Sequence, residues 1–275
     1  MVSINTNASA LIALQNLNKT TRDLENTQNV INTGLKVAGA KDNGAIFAIA
    51  QSLRGDVSGL VAVTQSLDRG IGAATVALAA GESISDLLID LKAKAAAASD
   101  QGLDTASRSA LDNEFKSLRD QITTIVNNAE FNGTNMIKNL GVGISALAND
   151  SGTATINVSA EDLSLTGSNL VISAGTSLGS SATTSASVLA EIETSLTNVN
   201  AALARLGTGI KTLERHKVFV GKLSDTIEVG IGNLVDADLA KQSAKLQALQ
   251  VKQQLGVRAL SIANNAPQSI LSLFR

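Results

Sequence analysis

The chain has no cysteine, no tryptophan, no tyrosine and a single proline among 275 residues. Without cysteine there is no disulfide, no thiolate metal site and no Cys nucleophile, and the redox compartment stays open. One histidine, His216, means that a zinc or iron site would have to rest on carboxylates. Aromatic residues reach only 2%, all of them Phe, while hydrophobic residues make up 44%. The apolar share is therefore Ala, Leu, Ile and Val, which favours long helices in side-by-side contact over a core anchored by large rings. The one proline is Pro267, so no helix before it is broken by a missing N–H. Charge of one sign is lacking too: 22 basic and 24 acidic residues give −2, no electrostatic footprint for nucleic acid. No contiguous apolar run approaches the roughly 18 residues of a membrane span, so no membrane insertion is expected. No charge precedes Lys19 and no compact apolar core lies near it, so the start does not read as a cleavable secretory signal.

What the chain does have is a seven-residue period. Near the start, Leu17, Leu24 and Ile31 keep it, with Leu14 and Leu35 on the companion position. Near the end, Leu239, Leu246, Leu260 and Phe274 keep it, with Leu249, Ala263 and Ile270 offset by three. Such a repeat holds one narrow stripe against a partner helix. The two ends should therefore pair with each other, with neighbouring copies, or with both. The candidate assembly residues are Ile4, Leu11, Leu14, Leu17, Leu24 and Ile31, and then Leu239, Leu246, Leu249, Leu260, Ile270, Leu273 and Phe274.

Between the ends, the patterning predicts one long helix over 3–40, weakened late by Gly34 and Gly39, and a joint over 39–44. A second helix, with Leu53, Leu60, Leu67 and Ala74 in heptad register, runs to about Ser99. Its glycines cost helix propensity but let neighbours approach closely. A third carries Leu111, Leu118 and Ile125 beside Phe115 and Ile122 and ends near Asn128. From Phe131 to about Ser187 helical period vanishes. Residues 154–159 and 163–166 alternate apolar with polar and read as short strands, and 173–187 reads as a solvated loop. From Val188 two rows resume: Leu189, Leu196, Leu203 and Ile210, and Ile192, Val199, Leu206 and Leu213. Leu196 and Leu203 are expected in the buried seam, and Gly230 to Asn233 are expected to interrupt the helix. The mirrored order closes if the chain folds back at its middle. The expected fold is mainly α, with long antiparallel coiled-coil-like helices, terminal and rod, and a small β/loop insert. Three domains follow: 1–40 with 235–275, 41–130 with 188–234, and the insert 131–187.

Chemistry is sparse. His216 reads as a solvated polar residue. Gly70-Ile71-Gly72 and Gly141-Val142-Gly143 lack the strand–turn–helix setting of a dinucleotide loop. Asp236 and Asp238 read as helix N-terminal charges. No catalytic, cofactor or metal site is read, and no enzymatic activity or cofactor is expected. The cations of the last segment lie among Gln and Ala with no aromatic anchor before Phe274, which disfavours a membrane-surface helix.

Ser3-Ile4-Asn5-Thr6-Asn7 followed by Leu14-Gln15-Asn16-Leu17 resembles the opening of bacterial flagellins, as does Thr33-Gly34-Leu35-Lys36 leading into Ala40-Lys41-Asp42-Asn43-Gly44-Ala45. Phe131-Asn132-Gly133 matches the turn that closes the family's N-terminal rod segment. At the other end Gln253-Gln254-Leu255-Gly256, Ala263-Asn264-Asn265-Ala266-Pro267-Gln268 and Ile270-Leu271-Ser272-Leu273-Phe274-Arg275 look like the flagellin C-terminus. The short middle is similar to the compact flagellins of alphaproteobacteria. The resemblance implies a structural subunit of the flagellar filament, a homopolymer whose terminal helices form an inner tube and whose rod helices form an outer one. It implies export without a cleaved signal, an export chaperone, and contacts with filament cap and junction proteins. A filament-junction protein with similar termini is the alternative. The resemblance also implies possible O-linked sugars on the insert, at Ser173, Thr176, Ser177, Ser180, Ser181, Thr183 and Thr184. It further places Leu91 where enteric flagellins carry an Arg read by the vertebrate receptor.

Overall fold

The structure, a computed structural model, describes residues 6–271, and their side chains as far as 265. Five helices and one hairpin follow in order: α1 (Ala8–Thr33), α2 (Gly44–Ala98), α3 (Thr105–Asn128), β1 (Ile144–Leu147), β2 (Thr155–Val158), α4 (Ala182–Val235) and α5 (Leu239–Leu271). The mainly helical class expected from the sequence is the class observed. The chain packs as two compact units, Met1–Gly55 with Thr226–Arg275, and Asp56–Asp225; α2 and α4 each contribute to both.

In the first unit α1 starts where the Asn7 side chain accepts the Ala10 N–H at 3.0 Å, taking up an N–H that has no partner within the helix. It stops at Gly34, whose φ of 72° lies in the left-handed region and whose N–H returns to the Val30 carbonyl. A left-handed residue cannot continue the helix. The expected helix over 3–40 therefore ends early: Lys36 N–H donates to Val235 O and Ala237 N–H to Gly34 O, so the next residues are held by extended pairing. α5 is capped by Asp238, whose carboxylate accepts the Lys241 N–H. The two helices run antiparallel. Asn7 Nδ2 donates to Ala263 O at 2.7 Å, Gln253 bonds Thr21, and a Cβ on Gly256 would stand 3.2 Å from Leu17 Cδ1.

The second unit holds the core. In α2 the buried positions Leu60, Leu67, Ala74 and Leu88 share one heptad row and Val63, Ala77, Ile84 and Leu91 the other. α4 faces them with Ile192, Val199, Leu206, Leu213 and Val220. Ion pairs Asp68–Lys217 (2.6 Å) and Lys92–Glu193 (2.9 Å) fix an antiparallel register. They are exposed, so each contributes little, about 0–1 kcal/mol. Leu196 and Leu203 are only half-buried. The companion row is the more deeply buried one, but theirs also reaches α2: Leu203 Cδ2 lies over Gly81, where an added Cβ would come within 2.5 Å, and Ile210 is buried.

α3 closes a third side with Phe115, Ile122 and Val126. Buried Arg108 reaches back from α3 to the Ala98 and Asp100 carbonyls, satisfying acceptors at the end of α2. Phe131-Asn132-Gly133-Thr134 is a tight turn with two reciprocal backbone bonds, and φ is positive at Asn132 (50°) and Gly133 (80°), as a primed turn requires. β1 and β2 pair antiparallel, Ile144 opposite Val158 and Leu147 opposite Thr155. Buried Val158 seats on Gly209 of α4, where a Cβ would come within 2.6 Å of it.

Four further expectations change. Residues 163–166 form a turn, not a strand: Thr166 sits at φ 65° and Gly167 N–H closes on Ser164 O, while Leu163 supplies a core side chain. The stretch 173–187 is not wholly a solvated loop. α4 begins at Ala182, and Ser185 is fully buried, donating to Leu178 O at 2.9 Å. Gly230 and Gly232 lie inside α4, because a lone glycine costs a helix only about 1 kcal/mol and neighbouring turns carry it through. Finally, α2 is long and apolar enough by length and composition to cross a membrane, its best 18-residue window averaging a hydropathy of 1.3. Contiguous runs missed this because polar residues punctuate the window without outweighing its Ile, Val and Ala.

Candidate assembly interface

A seven-residue stripe announces a helix partner, and for both terminal helices part of that partner is in the same chain. Leu24 and Leu249 are buried in the α1–α5 seam with Thr20 and Thr27. Leu17, Ile31, Leu246 and Leu260 are half-buried beside them. Of the remaining candidates, Leu11 (56% exposed), Leu14 and Leu239 stand open. Ile4, Leu273 and Phe274 lie outside the described residues, and the side chain of Ile270 lies outside them as well.

The heptad reading missed a second apolar surface. Val251, Leu255 (58%) and Ile262 (72%) are exposed, and their spacing of four and seven places them in one row of α5. That row is turned away from the Leu249 seam. Ile12 and Val257 add to the open apolar area of this unit. Isolated exposed apolar residues are ordinary; a row along a helix marks a contact. The signal was available in the sequence as apolar residues outside the a and d positions of α5, which a single stripe does not need.

The remaining polar groups do structural work. His216 is half-buried, and its Nε2 lies 2.7 Å from Ala148 O. A nitrogen facing a carbonyl must carry the proton, so His216 ties α4 to the hairpin loop rather than standing in solvent. Glu161, buried, takes Arg205 in a two-point pair at 2.6 and 2.7 Å, and the carboxylate keeps the Arg205 guanidinium above its ordinary pKa. Gly70-Ile71-Gly72 lies within α2. A groove of about 250 Å³ between α2 and the Phe131 turn is lined by Ser66, Arg69, Phe131, Asn132, Thr134 and Ser145, one cation with hydroxyls and an amide. Among the described residues no group of three or more His, Asp or Glu could hold a metal ion.

Leu91 is fully buried in the second unit. An Arg read by a receptor must reach solvent, so Leu91 does not occupy such a position and the placement made from the resemblance is withdrawn. Of the candidate sugar sites, Ser180, Ser181, Thr183 and Thr184 are exposed, while Ser173, Thr176 and Ser177 are half-buried; Ser173 N–H donates to Thr176 Oγ1.

Long helices, one closed seam and one open apolar row define a class: a structural subunit that completes its packing against other chains. The N-terminal part, residues 4–141, matches the bacterial flagellin N-terminal helical region, and residues 189–274 match the bacterial flagellin C-terminal helical region. The chain belongs to the bacterial flagellin family. It is 52% identical to Flagellin FljM of Caulobacter vibrioides over 273 residues, 99% of this chain and 98% of that one. It is 38% identical to a flagellin of Brucella melitensis over the full length of both. Among solved structures it shares the fold of Bacillus cereus flagellin (TM-score 0.50, 21% identity, 56% of this chain and 87% of that one). It also shares the fold of a putative flagellar hook-associated protein from Vibrio parahaemolyticus (TM-score 0.59, 14% identity, 71% and 100%). The last is a likeness of fold alone, and nothing in it favours a junction role. The protein is a structural subunit that polymerises into the flagellar filament.

Proposed function

We propose that copies join through the apolar faces that α1 and α5 leave open, so that 1–40 with 235–275 forms the inner tube, 41–130 with 188–234 the rod outside it, and 131–187 the outward insert. The observation that carries this is the exposed row Val251, Leu255 and Ile262 on the far side of the seam. A two-helix pair can cover only one side of each helix, and burying a Leu or Ile contributes about 1.5–3 kcal/mol, so many copies packed on this row supply what the single chain lacks. Unlike surfaces meeting without closure give a helical fibre. Leu11, Leu14 and Leu239 join this face; Leu24 and Leu249 stay in the seam. Family membership supports an extracellular filament reached through the flagellar export route without a cleaved signal, with an export chaperone, cap and junction proteins as partners and no enzymatic role. Sugars, where present, fall on Ser180, Ser181, Thr183 and Thr184.

The test is Leu255→Asp with Ile262→Asp. Both side chains are already in water, so the monomer should melt as before, while electron microscopy should find no filaments. Wild-type filament yield from that variant would remove the reading.

A further inference from the structure

Two outward helix faces of the second unit carry opposite charge and, among the described residues, no ion-pair partner. On α2, Glu82, Asp86 and Asp90 follow one another at four-residue intervals, all exposed, with exposed Ile89 beside them. On α4, Lys211 and Arg215 are likewise four apart and exposed, and Val218 and Phe219, more than half exposed, continue the same face. Residues four apart stack on one side of a helix, so each face sets like charges over one another. Among the described residues none of these five charged groups makes an ion pair. The neighbouring cations that could have neutralised the acidic face are engaged elsewhere, Lys92 by Glu193 and Lys94 by Glu114. Lys217, beside the basic face, is held by Asp68. Glu214, three residues from Lys211, borders the basic face at about 60° from Lys211 and 100° from Arg215, so it flanks the two cations without standing between them.

The two faces cannot reach each other inside one copy. Both lie opposite the heptad rows by which α2 and α4 pack together. Ser85 stands level with Asn200, to which it is hydrogen bonded, so even the nearest charges of the two faces, Glu82 and Lys211, are displaced by about 12 Å along the axis, at about 1.5 Å per residue. That exceeds the ~8–10 Å over which exposed charges act at physiological salt.

We propose that in the polymer the Glu82–Asp86–Asp90 face of one copy docks on the Lys211–Arg215 face of the next, with Ile89 against Val218 and Phe219. This deepens the filament reading and rests on it. The occupant is a second copy of this chain because the same chain carries both complementary surfaces with matching four-residue spacing and an apolar residue in each. An acidic face cannot pair with itself, so the contact is heterologous: each copy offers one face forward and one back, and the contact repeats without closing. The charges also give the contact a direction, since any register that sets like faces together is repelled.

The experiment uses full-length protein and two variants, Glu82→Lys with Asp86→Lys, and Lys211→Glu with Arg215→Glu. All four side chains are exposed, and monomer melting serves as the check that folding is intact. Each variant alone presents like charge to like, and its critical concentration for seeded polymerisation at low salt should rise at least about tenfold, with the loss shrinking in high salt. An equimolar mixture restores opposite charges at every alternating contact, so it should polymerise within about twofold of wild type, with both variants in the filaments. Either variant assembling alone as well as wild type would overturn the proposal, and so would a mixture no better than its parts. Failure of the terminal-helix reading shows separately, as filaments from the Leu255→Asp, Ile262→Asp variant.

Discussion

The same seven-residue period builds both units, and it ends in two different places. In the unit 56–225, α2, α3, α4 and the segment between the hairpin and α4 surround their apolar rows; Leu67, Ile84, Leu88, Phe115, Ile137, Leu163, Leu170 and Ile172 are all out of reach of solvent. In the unit that contains α1 and α5, the seam closes over Leu24 and Leu249 and leaves Leu11, Ile12, Val251, Leu255 and Ile262 in water. A heptad tells that a helix has a partner, not how many. Three helices and a folded-back loop can finish a core, whereas two helices cannot cover each other's far sides. One unit carries its stability within the chain, and the other holds part of its packing in reserve for neighbours.

The largest expected effect separates the two directly. Phe115→Ala removes a fully buried ring and should cost about 3–5 kcal/mol, read as a lowered melting temperature of the monomer. Leu249→Ala removes an 8% exposed side chain from a seam open to solvent on both sides. Its cost should sit at or below the low end of the Leu→Ala range, about 2 kcal/mol, with filament assembly suffering more than monomer melting. Equal losses of monomer stability would erase the contrast between the units.

The sequence made one level of this legible and hid another. Helix identity came through because Ala, Leu and Ile recur at helical spacing over dozens of residues, and the ends of α2 and α3 fell where turn residues predicted. Gly34 was visible, but the pairing of the residues at and after it with the segment after α4, Lys36 to Val235 and Ala237 to Gly34, is a long-range contact that no local pattern announces. Leu163-Ser164-Leu165-Thr166 alternates like a strand, yet it has no strand to pair with, and Leu163 is buried as a turn residue. Ser185 looked like part of a polar loop; its hydroxyl is spent on the Leu178 carbonyl, a contact set by tertiary packing. For the candidate interface, the heptad rows were read and the open row of α5 was passed over, because a period finds the most regular stripe and the second contact face, though present as apolar residues outside it, is less regular.

Glycines sharpen the comparison at a smaller scale. Gly209 in α4 receives the hairpin, and an added Cβ would stand 2.6 Å from Val158 Cγ1 and 3.0 Å from Cγ2. Val158 is β-branched and buried, so turning its side chain brings no relief. Gly209→Ala should destabilise the monomer by about 1–3 kcal/mol as an overpacked contact. Gly230, in the part of α4 that belongs to the other unit, has nothing within 4 Å of an added Cβ. There the helix gain is unopposed, and Gly230→Ala should stabilise by about 0.5–1 kcal/mol. The two signs are read from chemical denaturation of the purified monomers. A stabilised Gly209→Ala would mean that the hairpin does not sit on α4 as closely as described.

The smallest expected effect lies at two helix starts with the same geometry and different chemistry. α1 is capped by a neutral amide, Asn7, accepting the Ala10 N–H at 3.0 Å. α3 is capped by a carboxylate, Asp104, accepting the Ser107 N–H at 2.8 Å. The Ser107 side chain first, its backbone N–H second and the Arg108 charge more weakly favour the ionised form, so the Asp104 pKa lies below its ordinary 3.8, against a small opposing effect of burial. A depressed folded-state pKa means that the cap's contribution is complete above pH 3.8 and is lost as pH falls through the lower folded value. Asn7 has no such step. Asp104→Asn keeps the acceptor, and asparagine caps about as well as aspartate, so the variant should melt almost as wild type does near neutrality. It should also lack the part of the acid-induced loss that belongs to Asp104. Melting curves collected from about pH 6 down to about pH 2 test this: below pH 3.8 wild type should fall away beneath the variant, and parallel curves throughout would show that the α3 cap is as indifferent to acid as the α1 cap.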